Sequence, residues 1–192
     1  MTYQLQIGSA SRTCAGQFVC GDQFGIFRRG QETLIIVADG LGHGPEANVA
    51  ARAACDFVKD NLTNDLYNLM AMLNEALANT RGAAVTMLHV DMVSGEIRHT
   101  GVGNVQLVSR SQNRINPVPV PGVVGAGLRK IVTSQFQLSD GDFIVIYTDG
   151  ISSRLDLRDY TSHDPQKTAD QIMSKWSKSH DDATCVAVAV RS

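Results

Sequence analysis

No apolar run in this 192-residue chain approaches the ~20 residues that span a bilayer, so the sequence predicts no transmembrane helix. Its start, Met1-Thr2-Tyr3-Gln4-Leu5-Gln6, has no charged segment leading into an apolar one, and a secretory signal is not expected. The four cysteines, Cys14, Cys20, Cys55 and Cys185, form no Cys-x-x-Cys pair and read as incidental thiols of a cytoplasmic protein. His89, His99, His163 and His180 have no mutual spacing for zinc. Basic residues are not in surplus: the net charge is −2, which argues against nucleic acid as a partner. No Gly-Lys-Ser/Thr occurs, which excludes a P-loop. Gly40-Leu41-Gly42-His43-Gly44 fails the dinucleotide pattern, because Pro45 stands where the third glycine belongs.

What remains is globular. Hydrophobic residues make up 43% and charged residues 19%, enough to bury a core over one domain spanning 1–192. Two continuous apolar runs, Thr33–Ala38 and Phe143–Tyr147, read as buried strands. Each runs straight into Asp-Gly, at Asp39-Gly40 and Asp149-Gly150. Helical spacing follows Pro45 through Val49, Ala53, Phe57, Val58 and Leu62. A second helix carries Leu66, Leu69, Met70, Leu73 and Leu77, and a third is expected over Thr168–Ser179. Strands are expected over Ala83–Asp91, Glu96–Val102, Val105–Ser109, Lys130–Gln137 and Thr184–Val190, with Gly103-Asn104 as a hairpin-like break. Residues 113–129 read as a Pro- and Gly-rich loop, and 152–165 as a polar, irregular one. Strands and helices segregate, which indicates an α+β fold with the helices covering the outer faces of two stacked sheets.

Asp39, Asp149 and the Asp181-Asp182 pair share one context: each sits at the end of an apolar strand, beside Gly or another Asp. Carboxylates gathered at strand ends suit hard cations such as Mg²⁺ and Mn²⁺. Two such ions can activate a water and clamp the oxygens of a phosphate ester. Asp-Gly also makes simple turns, so a single instance would carry little weight. The glycines of 40–44 are read as allowing backbone to approach a metal or substrate closely.

These residues resemble a family. Val37-Ala38-Asp39-Gly40-Leu41-Gly42-His43-Gly44-Pro45, Tyr147-Thr148-Asp149-Gly150 and Asp181-Asp182-Ala183-Thr184 are similar to the motifs of PPM (PP2C-like) metal-dependent serine/threonine phosphatases. The Asp-Gly-x-Gly-His-Gly form and Cys20-Gly21-Asp22 resemble the bacterial sporulation and stress-response branch. The resemblance implies a four-layer αββα sandwich. It implies that Asp39 bridges two Mn²⁺ or Mg²⁺ ions, that the Gly40 carbonyl binds one, and that Asp149 and Asp181 bind the other. Asp22 would act through metal-bound water, and Asp182 would support Asp181. A bridging hydroxide would attack phosphoserine or phosphothreonine in line, with no phosphoenzyme. Substrates would be STAS-domain proteins of the stressosome. The chain departs from relatives of the human type in two places. No arginine adjoins Cys20-Gly21-Asp22, although Arg12 lies upstream, and Leu41 stands where they keep a histidine. His43 lies two positions on. The segment forming a substrate-side flap in larger relatives is short, which implies an open site. A non-catalytic metal-binding module on this scaffold is the alternative, but every expected ligand position holds Asp. Arg81 reads as an exposed cation at a helix end, and Asn104 as a turn residue.

Overall fold

The computed structural model describes residues 2–192. The described residues form nine strands and three α-helices: β1 (Gln4–Arg12), β2 (Asp22–Arg29), β3 (Glu32–Gly40), α1 (Pro45–Asp60), α2 (Leu66–Ala76), β4 (Ala83–Asp91), β5 (Glu96–Val102), β6 (Gln106–Arg110), β7 (Thr133–Gln137), β8 (Phe143–Tyr147), α3 (Pro165–Trp176) and β9 (Ala183–Arg191). Two antiparallel sheets result, one ordered β1-β9-β8-β6 and the other β2-β3-β4-β5-β7. Among the described residues no helix is long and apolar enough to cross a membrane.

The continuous apolar strands follow from burial on both faces. In β3, Ile35 and Val37 pack between the sheets with Ile144, Ile146, Val186 and Val188. The alternate residues Leu34, Ile36 and Ala38 pack outward against α1 and α2. On the other sheet, Phe143 and Val145 turn outward to Ala169 and Ile172 of α3. Three apolar layers therefore lie between four structural ones, in the order helices, sheet, sheet, helix, the expected α+β sandwich.

Several expectations are corrected. Gly103-Asn104 is not a hairpin: β5 pairs with β4 and β7, whereas β6 pairs with β8 in the other sheet, so this break carries the chain between sheets. The buried face of α1 is Ala47, Ala50, Ala51, Ala54, Cys55 and Val58, while Val49 is 58% exposed. Alanines let α1 lie close to the sheet, and their weak hydrophobic signal loses to larger residues in a periodicity count. Helix α3 starts three residues earlier than expected, because Asp164 accepts from the Lys167 N–H as an N-cap and Pro165 takes the first position. It ends at Trp176, before the expected Ser179. Strand β7 begins at Thr133, not Lys130. The 152–165 loop buries Leu155, Leu157 and Tyr160 around a short 3-10 turn.

The glycines after the two apolar strands are there for space. Neither Gly40 nor Gly150 has a positive φ. A Cβ on Gly40 would stand 2.0 Å from the Ala47 carbonyl oxygen, and one on Gly150 1.8 Å from that of Asp182. The close approach at both glycines is to the protein's own backbone. Gly42 and Gly44, with φ of 89° and 77°, instead need the left-handed conformation. Gly150→Ala is therefore expected to cost about 1–3 kcal/mol through overpacking. Leu73→Ala, which opens a cavity under α2, should cost about 2–5 kcal/mol. Urea unfolding of both variants checks this; a Gly150→Ala protein as stable as the parent would contradict it.

Candidate active site

The acidic residues gather where the gap between the sheets opens at one end. Asp22 and Asp39 are direct cross-strand partners at the ends of β2 and β3. Their alternation puts both on the inter-sheet face with Ile35 and Val37. Like charges placed opposite each other repel, so this pairing is unfavourable unless something offsets it. From the other sheet, Asp149 follows β8 and Asp181-Asp182 precedes β9. These last two strands are neighbours. A backbone bond from the Thr148 N–H to the Thr184 carbonyl, 3.0 Å, extends their pairing to the site.

Asp39, Asp149 and Asp181 line one cleft of about 250 Å³, together with Leu41, Gly42, His43, Ala84 and Asn104. Asp22 and Asp182 lie beneath it, each 3% exposed. Gly40 stands between the lining residues Asp39 and Leu41, and its N–H donates to the Gly21 carbonyl at 3.2 Å.

Hydrogen bonds fix most of the acids. The Thr148 hydroxyl donates to Asp22 Oδ2 at 2.7 Å across the sheet gap, and itself accepts from the Thr184 N–H at 2.9 Å. Asn104 Nδ2 donates to Asp149 Oδ2 at 2.8 Å. The Cys14 N–H donates to Asp182 Oδ1 at 2.8 Å. The Asp182 N–H donates to Asp181 Oδ1 at 3.0 Å. Lys178 Nζ donates to the Asp149 carbonyl at 2.5 Å, leaving the Asp149 carboxylate to Asn104.

Burial dominates the electrostatics. It pushes Asp39 up to about 8, with the charges of Asp22, Asp149, Asp181 and Asp182 adding to the rise. It pushes Asp22 up to about 7, against hydrogen bonds from Thr148 and Thr184. Asp181 is also raised, first by burial and then by the Asp149 charge, with Lys178 opposing. Burial likewise pushes the Cys20 thiol up to about 12.

The donor set fits a hard dication. It is made of oxygen donors. Asp182 Oδ2 is buried with no hydrogen-bond partner, and neither lysine nor arginine lines the cleft. Among the described residues, no three acidic, His or Cys side chains converge tightly enough to share an ion as they stand. Charged carboxylates repel one another, and a cation bound between them would offset that repulsion.

Two residues differ from their expected roles. Asn104 reaches the site, holding a carboxylate 45 positions away in the chain. Arg81 is exposed as expected, but it sits beyond the end of α2, ion-paired with Glu46 and close to Gly42. Thr148 and the Cys14 N–H were not anticipated at all. The position of Thr148 directly before Asp149 is the one sequence signal that could have marked it.

The profile of the stage II sporulation protein E (SpoIIE) family matches residues 29–191. The phosphoserine phosphatase RsbX of Bacillus subtilis (strain 168) is 31% identical over 139 residues, 71% of this chain and 70% of that protein. A chain from a structure of the bacterial stressosome, a modular system adapted to control secondary-messenger signalling, superposes with a TM-score of 0.91 at 26% identity, covering 96% of this chain and 99% of that one. RsbX in complex with magnesium superposes with a TM-score of 0.85 at 25% identity, over 97% and 95% of the two chains. The chain therefore belongs to the SpoIIE family, and it shares the fold of the PP2C phosphatase domain of SpoIIE from Bacillus subtilis.

Proposed function

We propose that this chain is a cytoplasmic, metal-dependent phosphatase that removes phosphate from phosphoserine or phosphothreonine on STAS-domain components of a stressosome. The observation that carries this reading is the meeting of Asp39, Asp149 and Asp181 in one open cleft backed by buried Asp22 and Asp182. Likeness to RsbX, a phosphoserine phosphatase, and to a stressosome structure supports the substrate class.

In this reading Asp39, Asp149 and Asp181 hold Mn²⁺ or Mg²⁺, two ions in number, with the Gly40 carbonyl, Asp22 and Asp182 contributing to the same centre. Bound there, such ions supply Lewis-acid activation of water and neutralise phosphoryl charge. The chain's own residues prepare the site. Thr148 holds Asp22 in one rotamer, and Asn104 does the same for Asp149. The Cys14 N–H orients Asp182 from below. Leu41 and His43 also line the cleft. Among the described residues neither lysine nor arginine lines the cleft, so bound dications would supply the positive charge that faces a phosphate.

Phosphate release from a phosphorylated STAS-domain protein with Mn²⁺ tests the reading. Asp39→Ala is expected to reduce the rate at least ~10²-fold, as loss of a principal electrostatic group does, and EDTA should abolish it. Equal rates in all three samples would sink the proposal.

The raised acids also set a pH dependence. A carboxylate whose folded pKa lies above its unfolded value binds more protons when folded, so its contribution to stability is lost as pH rises through the folded pKa. Asp22 at about 7 and Asp39 at about 8 titrate above the usual carboxylate range. Between pH 6.5 and 8 the metal-free protein should lose stability from this pair, while a dication gains affinity as the protons leave. The rise in Tm on adding Mg²⁺ should therefore be larger at pH 8 than at pH 6.5. Differential scanning calorimetry reads this, and a smaller rise at pH 8 would contradict it.

A further inference from the structure

The acidic cleft does not end at its carboxylates. Leu41, Ala84 and Asn104 are shared with a second groove, of about 430 Å³, that runs on past Val118, Pro119 and Pro121. Its chemistry is different: no charged side chain lines it. Leu41 is 40% exposed and Val118 77% exposed, so two large apolar side chains flank the path out of the cleft.

This wall is built, not loose. The Val120 N–H donates to the Gly101 carbonyl at 2.9 Å and the Gly103 N–H to the Val120 carbonyl at 2.9 Å. Further along, Ala83 and Val124 exchange two backbone bonds of 3.0 and 2.9 Å. Pro117, Pro119 and Pro121 restrict the backbone between these ties. Gly103 takes a φ of 95°, and a Cβ there would meet the Ala84 Cβ at 2.5 Å, so the base of the loop closes directly onto β4. Val118 is thus held out on a pinned segment. A surface ordered before binding loses little entropy when a chain docks on it.

The cleft itself offers little to tell one phosphoserine from another. Its walls hold three acids, one histidine, Leu41, Asn104 and two small residues. Discrimination then falls to what flanks the phosphoserine, and that flanking chain has to leave the cleft along a wall. We propose that this groove seats the polypeptide segment adjoining the substrate phosphoserine and selects an uncharged, apolar residue there, with Val118 and Leu41 as its contacts. The proposal rests on the phosphatase reading above and names the substrate feature that reading leaves open.

The test uses phosphoserine peptides of otherwise Gly/Ser sequence in which a single leucine is moved through the four positions on either side of the phosphoserine. With Mn²⁺ present, leucine at one or two neighbouring positions should lower KM roughly tenfold, the discrimination an apolar pocket gives for a few methylenes. Glutamate at the same positions should give no such gain. In Val118→Glu the leucine advantage should vanish, read as the ratio of kcat/KM for the leucine peptide to that for p-nitrophenyl phosphate, which has no chain to lay in the groove. Leucine indifferent at every position, or an advantage that survives Val118→Glu, would overturn the proposal. Fluorescence anisotropy of the labelled leucine peptide needs no turnover and separates the two readings. Leucine-dependent binding without any phosphate release would support the groove and sink the phosphatase. Phosphate release without leucine-dependent binding would do the reverse.

Discussion

Asp22 and Asp39 face each other across neighbouring strands where the inter-sheet core meets the cleft, Asp22 buried and Asp39 lining the opening. That pairing is the constraint on which the site depends. Two carboxylates so placed are costly when both are charged, and burial raises both pKa values accordingly. Surrounding the pair are more acids, from Asp149 and Asp181-Asp182, and not the arginine or lysine that usually compensates a buried carboxylate. An arrangement of this kind stores an unfavourable electrostatic term that a dication relieves. The fold supports it through hydrogen bonds to the carboxylates: Thr148 on Asp22, Asn104 on Asp149, the Cys14 N–H on Asp182.

The sandwich explains why these acids meet. Asp39 ends a strand of one sheet, and Asp149 and Asp181 flank adjacent strands of the other. Stacking the sheets face to face therefore brings three distant segments to one end of the inter-sheet core. Apolar residues fill that core along its length, and the acids begin where it reaches solvent. Gly40 and Gly150 let the turns beyond the strands pack against α1 and the Asp182 backbone with no side chain between. The same geometry opens a path from the cleft along Leu41 toward the loop that carries Val118.

Much of this was legible in the chain, for identifiable reasons. Strands β3 and β8 were plain because burial on both faces demands unbroken apolar sequence. Helix α2 was plain because Leu66, Leu69, Leu73 and Leu77 mark a single face. The acids stood out because Asp-Gly recurs directly after buried strands. Other features left weak traces. Helix α1 buries alanines, whose periodicity is weak beside that of larger residues such as Val49, which is exposed. Strand β1 has only Leu5 and Ile7 as large apolar residues before a run of small and polar ones, and is held by its pairing with β9, at the opposite end of the chain. Gly103-Asn104 has the look of a hairpin because local sequence does not record which sheet the next strand joins. The contacts of Asn104, Thr148 and Cys14 with the acids span 45, 126 and 168 positions and have no local signature.

The central claim is that the acidic set is a metal centre organised by Asp39. Calorimetric titration of Mn²⁺ into the protein and into Asp39→Asn at pH 8 tests it most directly, because it reads ion binding without requiring a substrate. The account predicts saturable heat for the parent and its loss, or a weakening of at least ~10-fold, in Asp39→Asn, whose amide removes the charge while keeping the shape. Absence of heat in the parent, or identical isotherms for the two proteins, would contradict it.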